Sequence, residues 1–142
     1  MQNLNNNLGF DLYVASRLIS QAYRDPLLEL GLTYPQYLVM LVLWEDDAMT
    51  VSQIGEKLQL DSGTLTPLLK RLESVNLLHR IRSQKDERKV VIELTYPGKA
   101  LESKAKEIPE KIREILNNWE EGELSDLSTR IKKLIQDINA NK

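Results

Sequence analysis

Between Asp61 and Thr95 the chain reads DSGTLTPLLKRLESVNLLHRIRSQKDERKVVIELT, and few folds accept that order of patterns. Asp61 is an N-cap residue, and Leu65, Leu68, Leu69, Leu72 and Val75 recur at three- and four-residue steps. Together they predict an amphipathic helix over 62–75 with one narrow apolar stripe. The segment after it alternates with a period of two, which predicts strands. Leu78, Arg80 and Arg82 share one face of the first strand, with His79 and Ile81 opposite, and Val90, Ile92 and Leu94 alternate in the second. The run Ser83–Lys89 between them has no apolar residue, so it is a turn that faces either water or a polyanion.

The flanking sequence predicts helices. Leu8, Leu12, Ala15, Leu18, Ile19 and Ala22 mark a helical stripe over 8–30, which ends near Gly31, a natural residue just past a helix end. Thr33 with Gln36, and Thr50 with Gln53, are capping boxes. The first opens an almost wholly apolar and therefore central helix through Trp44, with Pro35 in its first turn. The second opens a short helix through Ile54 and Leu58. That short helix and 62–75, joined by the tight Leu60–Gly63 corner, form a helix-turn-helix, and the hairpin makes it winged. Thr95 caps a further helix. Leu101, Ala105, Ile108, Ile112, Ile115 and Trp119 give it one long stripe with a bend at Pro109. Leu124, Leu127, Ile131, Leu134, Ile135 and Ile138 mark a last helix entered near Gly122. The fold class is thus mainly α with a small β wing. The outer stripes exceed what the central unit can cover, which favours a homodimer; the alternative is that they fold back as one bundle.

A net charge of −2 argues against nucleic acid until its distribution is considered. Residues 62–90 carry seven cations and three anions, leaving 12 cations and 18 anions elsewhere. A basic patch on an acidic body makes local potential decisive; a merely solvated face is the plainer account. Ser62, Thr64, Thr66 and Pro67 occupy the start of the predicted helix, and Lys70 and Arg71 follow a turn later. Small hydroxyls that approach base edges, with cations that reach guanine or phosphate behind them, suit a major-groove helix. Pro67 forfeits a backbone bond there, a local cost of the kind seen at functional surfaces; a kinked structural helix is the alternative. In the turn, Arg82 and Lys85 add charge, and Asp86 lies two residues before Arg88. A carboxylate that holds a tip arginine suits insertion into a narrow minor groove, whereas an ordinary surface pair is worth ~0–1 kcal/mol.

The chain has no cysteine, which removes disulfides, thiol nucleophiles and thiolate metal sites. No apolar run approaches the ~20 residues that span a bilayer, and the polar start MQNLNNN lacks a signal-peptide pattern, so a cytoplasmic location is expected. No metal-spaced cluster or phosphate loop is present, no cofactor is implied, and the single histidine, His79, has no evident carboxylate or hydroxyl partner, so it reads as structural and not catalytic.

The segments LTYPQYLVMLVLWE (32–45) and LDSGTLTPLLKRLESVNLLHRIRSQKDERKVVIELTYPG (60–98), with the order of helices around them, resemble the MarR family of transcriptional regulators. Within it the chain is most similar to the organic-hydroperoxide regulators (OhrR-like) and their staphylococcal relatives, from about Leu8 to the last helix. The resemblance implies one domain, with a DNA-binding unit over 33–95 and dimerisation helices over 1–32 and 96–142. It also implies a homodimer on a pseudo-palindromic operator, with helix 62–75 in the major groove and Arg88 in the minor groove. The subfamily senses peroxide through a cysteine where this chain has Gly9, in the stretch Leu8-Gly9-Phe10-Asp11-Leu12-Tyr13. Glycine cannot form a sulfenate. Gly9, Tyr13, Tyr23 and Tyr34 then outline a candidate pocket for a small apolar or phenolic effector, with a small void where the cysteine would be. The function expected is a sequence-specific dimeric repressor of transcription that binds double-stranded DNA and is released by a small ligand or signal, not by cysteine oxidation; the alternative is a winged-helix protein-interaction module that has lost operator binding.

Overall fold

A computed structural model describes residues 3–142. After a short 3-10 turn at Leu4–Asn6, helix α1 (Leu8–Leu28) starts at Asn7, whose side chain accepts the Phe10 amide at 2.8 Å. Gly31, at φ +69°, turns the chain past the helix end. Helix α2 (Tyr34–Glu45) opens on the expected capping box, with the Gln36 amide donating to Thr33 Oγ1 and the Thr33 amide to Gln36 Oε1. α2 is the centre of the core. Met40 and Leu43 are fully buried there, beside Leu27, Ile54, Leu65, Leu69, Leu72, Leu78 and Ile92 from the surrounding elements.

The second capping box, at Thr50 and Gln53, opens α3 (Val51–Leu58). The turn from α3 into α4 (Ser62–Ser74) depends on a close approach: the Leu60 amide donates to the Gly55 carbonyl at 2.9 Å. A Cβ on Gly55 would sit 2.7 Å from the Leu60 carbonyl oxygen, so a side chain there would force the two helices apart. Strands β2 (Leu78–Arg82) and β3 (Val90–Leu94) form the expected hairpin, in the register Leu78↔Leu94 and Arg80↔Ile92. A third strand, β1 (Met49–Thr50), pairs with the other edge of β3 to give the order β1-β3-β2. Two residues are too few to show alternation, so β1 was not visible in the sequence.

Helix α5 (Tyr96–Ala105) starts at Thr95 and packs on α2 and β3. Trp44 Nε1 donates to the Gly98 carbonyl at 2.9 Å, and a Cβ on Gly98 would strike the Leu77 carbonyl. The bent helix expected across Pro109 is instead a break: α5 stops at Ala105 and α6 (Ile108–Ile115) begins anew. Pro109 has no N–H for the Ala105 carbonyl and its ring crowds that turn, while the second position of a new helix accepts it. Trp119 falls in a turn beyond α6 rather than on a helical stripe.

The chain divides into two compact units, Met1–Pro109 and Glu110–Lys142. In the first, α1 packs on α2, so α1 and α5 group with the winged elements. In the second, α7 (Glu123–Ala140) is entered at Gly122, φ +91°, and buries no residue. No helix among the described residues is long and apolar enough to cross a membrane.

Candidate nucleic-acid interface

The tip of the wing is folded by its own hydrogen bonds. Ser83 Oγ accepts the Lys85 and Asp86 amides at 3.2 and 3.4 Å, and the Lys89 amide donates to the Asp86 carbonyl at 2.9 Å. Asp86 Oδ1 accepts both the Arg88 amide at 3.0 Å and Arg88 Nε at 3.3 Å. The Arg88 side chain remains 92% exposed. An exposed pair of this kind adds ~0–1 kcal/mol of stability, so its effect is on direction: the guanidinium is aimed while still in water. Arg82 Nη1 donates to the Glu87 carbonyl at 3.3 Å, which ties the first strand to the far side of the loop.

On α4, Leu65, Leu69 and Leu72 are buried, while Ser62, Thr64, Pro67, Lys70 and Arg71 are exposed and Thr66 is half-buried. Val75, placed on the buried stripe by periodicity, is 48% exposed because the helix has already ended there, at its C-cap. Asp61 Oδ1 accepts the Thr64 amide at 2.7 Å. Hydrogen bonds from the Thr64 side chain and then its amide hold the Asp61 carboxyl below its ordinary range. Pro67 sits inside an unbroken helix. It deprives the Gly63 carbonyl of a donor, and because both residues are exposed, water can take the vacant acceptor.

Between α4, the start of α3 and the wing lies an open cleft of about 430 Å³, lined by Thr50, Ser52, Gln53, Thr66, Arg80, Arg88 and Lys89 among others. Thr66 and Arg88 were expected at an interface. Arg80 and Lys89 were visible only as members of the basic patch, and Ser52 and Gln53 gave no binding signal because Gln53 is explained by its cap. Arg80 pairs with Glu73 of α4, Nε to Oε1 at 3.1 Å. The Arg80 amide is the main cause that keeps the Glu73 carboxyl below its ordinary range. His79 is exposed and stands opposite Glu93 in the strand register; the carboxylate neighbour missing from the local sequence arrives across the hairpin.

The tyrosines form a separate cluster. Tyr23 stacks on Tyr34 with ring centroids 4.4 Å apart, Tyr37 lies 5.9 and 6.4 Å from the two, and Trp44 meets Tyr37 edge-on at 6.4 Å. Burial pushes the pKa of Tyr23, Tyr34 and Tyr37 upward. Gly9 and Tyr13 do not join them. Both are exposed on the first turns of α1, Tyr13 at 67%. A continuous helix separates Gly9 from Tyr23 by roughly 21 Å and Tyr13 from Tyr23 by roughly 15 Å. Within one chain the four residues therefore do not line a common pocket. The void expected at Gly9 is also absent, because an added Cβ would meet only Asn7 Oδ1, at 3.2 Å, at the surface.

Residues 23–108 match the family described as Transcriptional regulator SarA/Rot. The chain belongs to this family. The resemblance carried by 32–45 and 60–98 is thereby borne out, and the protein is a transcriptional regulator rather than an enzyme. It is 52% identical over 106 residues to the organic hydroperoxide resistance transcriptional regulator of Bacillus subtilis, covering 75% of this chain and 72% of that one. To the HTH-type transcriptional regulator SarZ of Staphylococcus aureus it is 39% identical over 132 residues, 93% of this chain and 88% of that protein. Among solved structures, reduced AbfR bound to DNA, a Staphylococcus epidermidis protein, superposes with a TM-score of 0.78 at 37% identity, covering 96% and 93% of the two chains.

Proposed function

We propose that this regulator binds a pseudo-palindromic duplex operator as a homodimer, represses transcription there, and releases DNA when a small apolar or phenolic effector binds beside Tyr23 and Tyr34. The observation that carries the DNA part is Arg88, held by Asp86 through main chain and side chain yet almost wholly exposed. Such an arginine is already ordered for the minor groove. The exposed hydroxyls and cations of α4 then meet the major groove. Lys and Arg contacts to phosphate supply most of the affinity, and base contacts along α4 supply selection. Two such units would stand about one DNA turn apart, roughly 34–36 Å.

The dimer is supported by the apolar residues left outside in one chain: Leu8 and Leu18 on α1, and Leu127, Ile135 and Ile138 on α7. A second chain would also resolve the separation along α1, since Gly9 and Tyr13 of one protomer need another protomer to approach a Tyr23–Tyr34 pair. With no thiol in the chain, release by cysteine oxidation is closed. An effector acts through a difference in affinity between the DNA-bound and free arrangements. The aromatic cluster spans α1 and α2, so a molecule wedged there would alter how those helices carry the winged unit.

Fluorescence anisotropy with duplex DNA from upstream of the protein's own gene, in competition with random duplex, tests this. Selective binding is expected. Arg88→Ala should weaken it by about 1–3 kcal/mol. Unchanged affinity would take the wing out of the mechanism, and no binding at low salt would refute the DNA reading.

A further inference from the structure

Glu73 and Arg80 join the helix and the wing at one point. Glu73 stands at the end of α4, and its carboxylate divides between two groups of a single residue: Oε2 accepts the Arg80 amide and Oε1 accepts Arg80 Nε, both at 3.1 Å. The first bond alone would close the base of the hairpin. The second adds little to that closure but fixes the direction of the guanidinium. With Nε occupied, the two Nη groups have no protein acceptor among the described residues. Arg80 lines the open cleft together with Thr66, Arg88 and Lys89. A planar fork with two unoccupied donors, in a cleft whose other charged walls are cationic, matches a phosphate oxygen pair. Arg80 is about one-third exposed, so the cost of stripping water from it is small.

We propose that Arg80 takes a backbone phosphate of duplex DNA between the recognition helix and the wing, and that Glu73 is the positioning residue that aims it. This rests on the DNA-binding reading above and adds a contact that the base-reading face of α4 and the tip of the wing do not supply. A phosphate contact carries no base information, so its loss weakens selective and random duplexes alike. It also ties the reach of the wing to the seat of α4, because one carboxylate on the helix sets where the phosphate sits.

Full-length wild type, Arg80→Gln, Glu73→Gln and the double variant are compared by anisotropy on the upstream and random duplexes across a salt series, with thermal melts as the fold control. Arg80→Gln is expected to weaken both duplexes about five- to tenfold and to reduce the salt slope by about 0.9 for each phosphate given up. Glu73→Gln is expected to weaken binding several-fold, and to cost nothing further once Arg80 is already Gln. Should Arg80→Gln fail to fold, Arg80→Lys serves: the charge stays, the Nε bond is lost, and binding weakens several-fold at nearly constant slope. An unchanged affinity and slope in Arg80→Gln would overturn the phosphate site. A full additional loss from Glu73→Gln in the Arg80→Gln background would overturn its role as the aiming group. If wild type binds and Arg88→Ala weakens it while Arg80→Gln does not, only this inference falls; if wild type binds neither duplex, the DNA reading falls with it.

Discussion

Helices α2 and α7 both carry apolar residues that need cover, and those residues meet opposite fates. α2 places apolar residues nearly all round and buries Tyr37, Val39, Met40, Val42 and Leu43. α7 repeats Leu124, Leu127, Ile131, Leu134, Ile135 and Ile138 at three- and four-residue steps and buries none of them. Full burial of an aliphatic side chain is worth roughly 1.5–3 kcal/mol, and Leu127, Ile135 and Ile138 stay 39, 37 and 55% exposed, so one chain leaves a few kcal/mol of the α7 stripe unused. Periodicity announces that a helix needs an apolar partner. Whether that partner lies in the same chain is decided by packing.

The largest effect expected from this contrast is in α2. Leu43→Ala should cost about 2–5 kcal/mol, read as a lower urea midpoint, and an unchanged midpoint would mean that α2 is not the centre of the core. A charge on α7 should do something different. Ile135→Glu should leave the far-ultraviolet circular dichroism of the chain near that of wild type. If α7 seats the proposed second chain, sedimentation should move toward monomer and operator affinity should fall at least about tenfold, since a buried unpaired charge costs several kcal/mol. A dimer that survives this change would place the interface elsewhere.

Two smaller effects sharpen the α2 side. The pKa values of Tyr23, Tyr34 and Tyr37 are raised by burial. Their contribution to stability is therefore complete below the ordinary tyrosine value of about 10 and is lost as pH rises through the higher folded values. Melts between pH 8 and 11 should show a decline that Tyr34→Phe makes shallower, and parallel declines would remove the cluster from the stability of the fold. Thr33→Ala deletes one half of the α2 capping box and should cost about 1 kcal/mol. Gly122 offers α7 no side-chain cap, so Gly122→Ala there would test backbone strain at φ +91° rather than capping.

Legibility in the sequence followed the range of the interactions. Thr33, Thr50, Asp61 and Thr95 were readable as caps because each bonds an amide three residues on. Asp86 and Arg88 were readable as a pair because only one residue separates them. Glu73 and Arg80 were not, since the chain must leave a helix, turn and enter a strand before they meet. The same holds for His79 opposite Glu93 and for β1, which exists only because β3 offers its free edge. The Pro109 break was half-visible: proline marked the place, but a bend and a restart have the same sequence signature.

The sequence by itself determined the order of α1 to α4 and the hairpin, the helix starts marked by caps and the sign of the charge on the 62–90 surface, because those depend on neighbours within one or two turns. Tertiary structure alone decided that Arg80 joins Arg88 at one cleft, that Gly55 and Gly98 must lack a side chain, and that Gly9 and Tyr23 lie too far apart to share a pocket in one chain. Each of these is a distance between groups remote in sequence or fixed by a rigid helix, and periodicity carries no information about such distances.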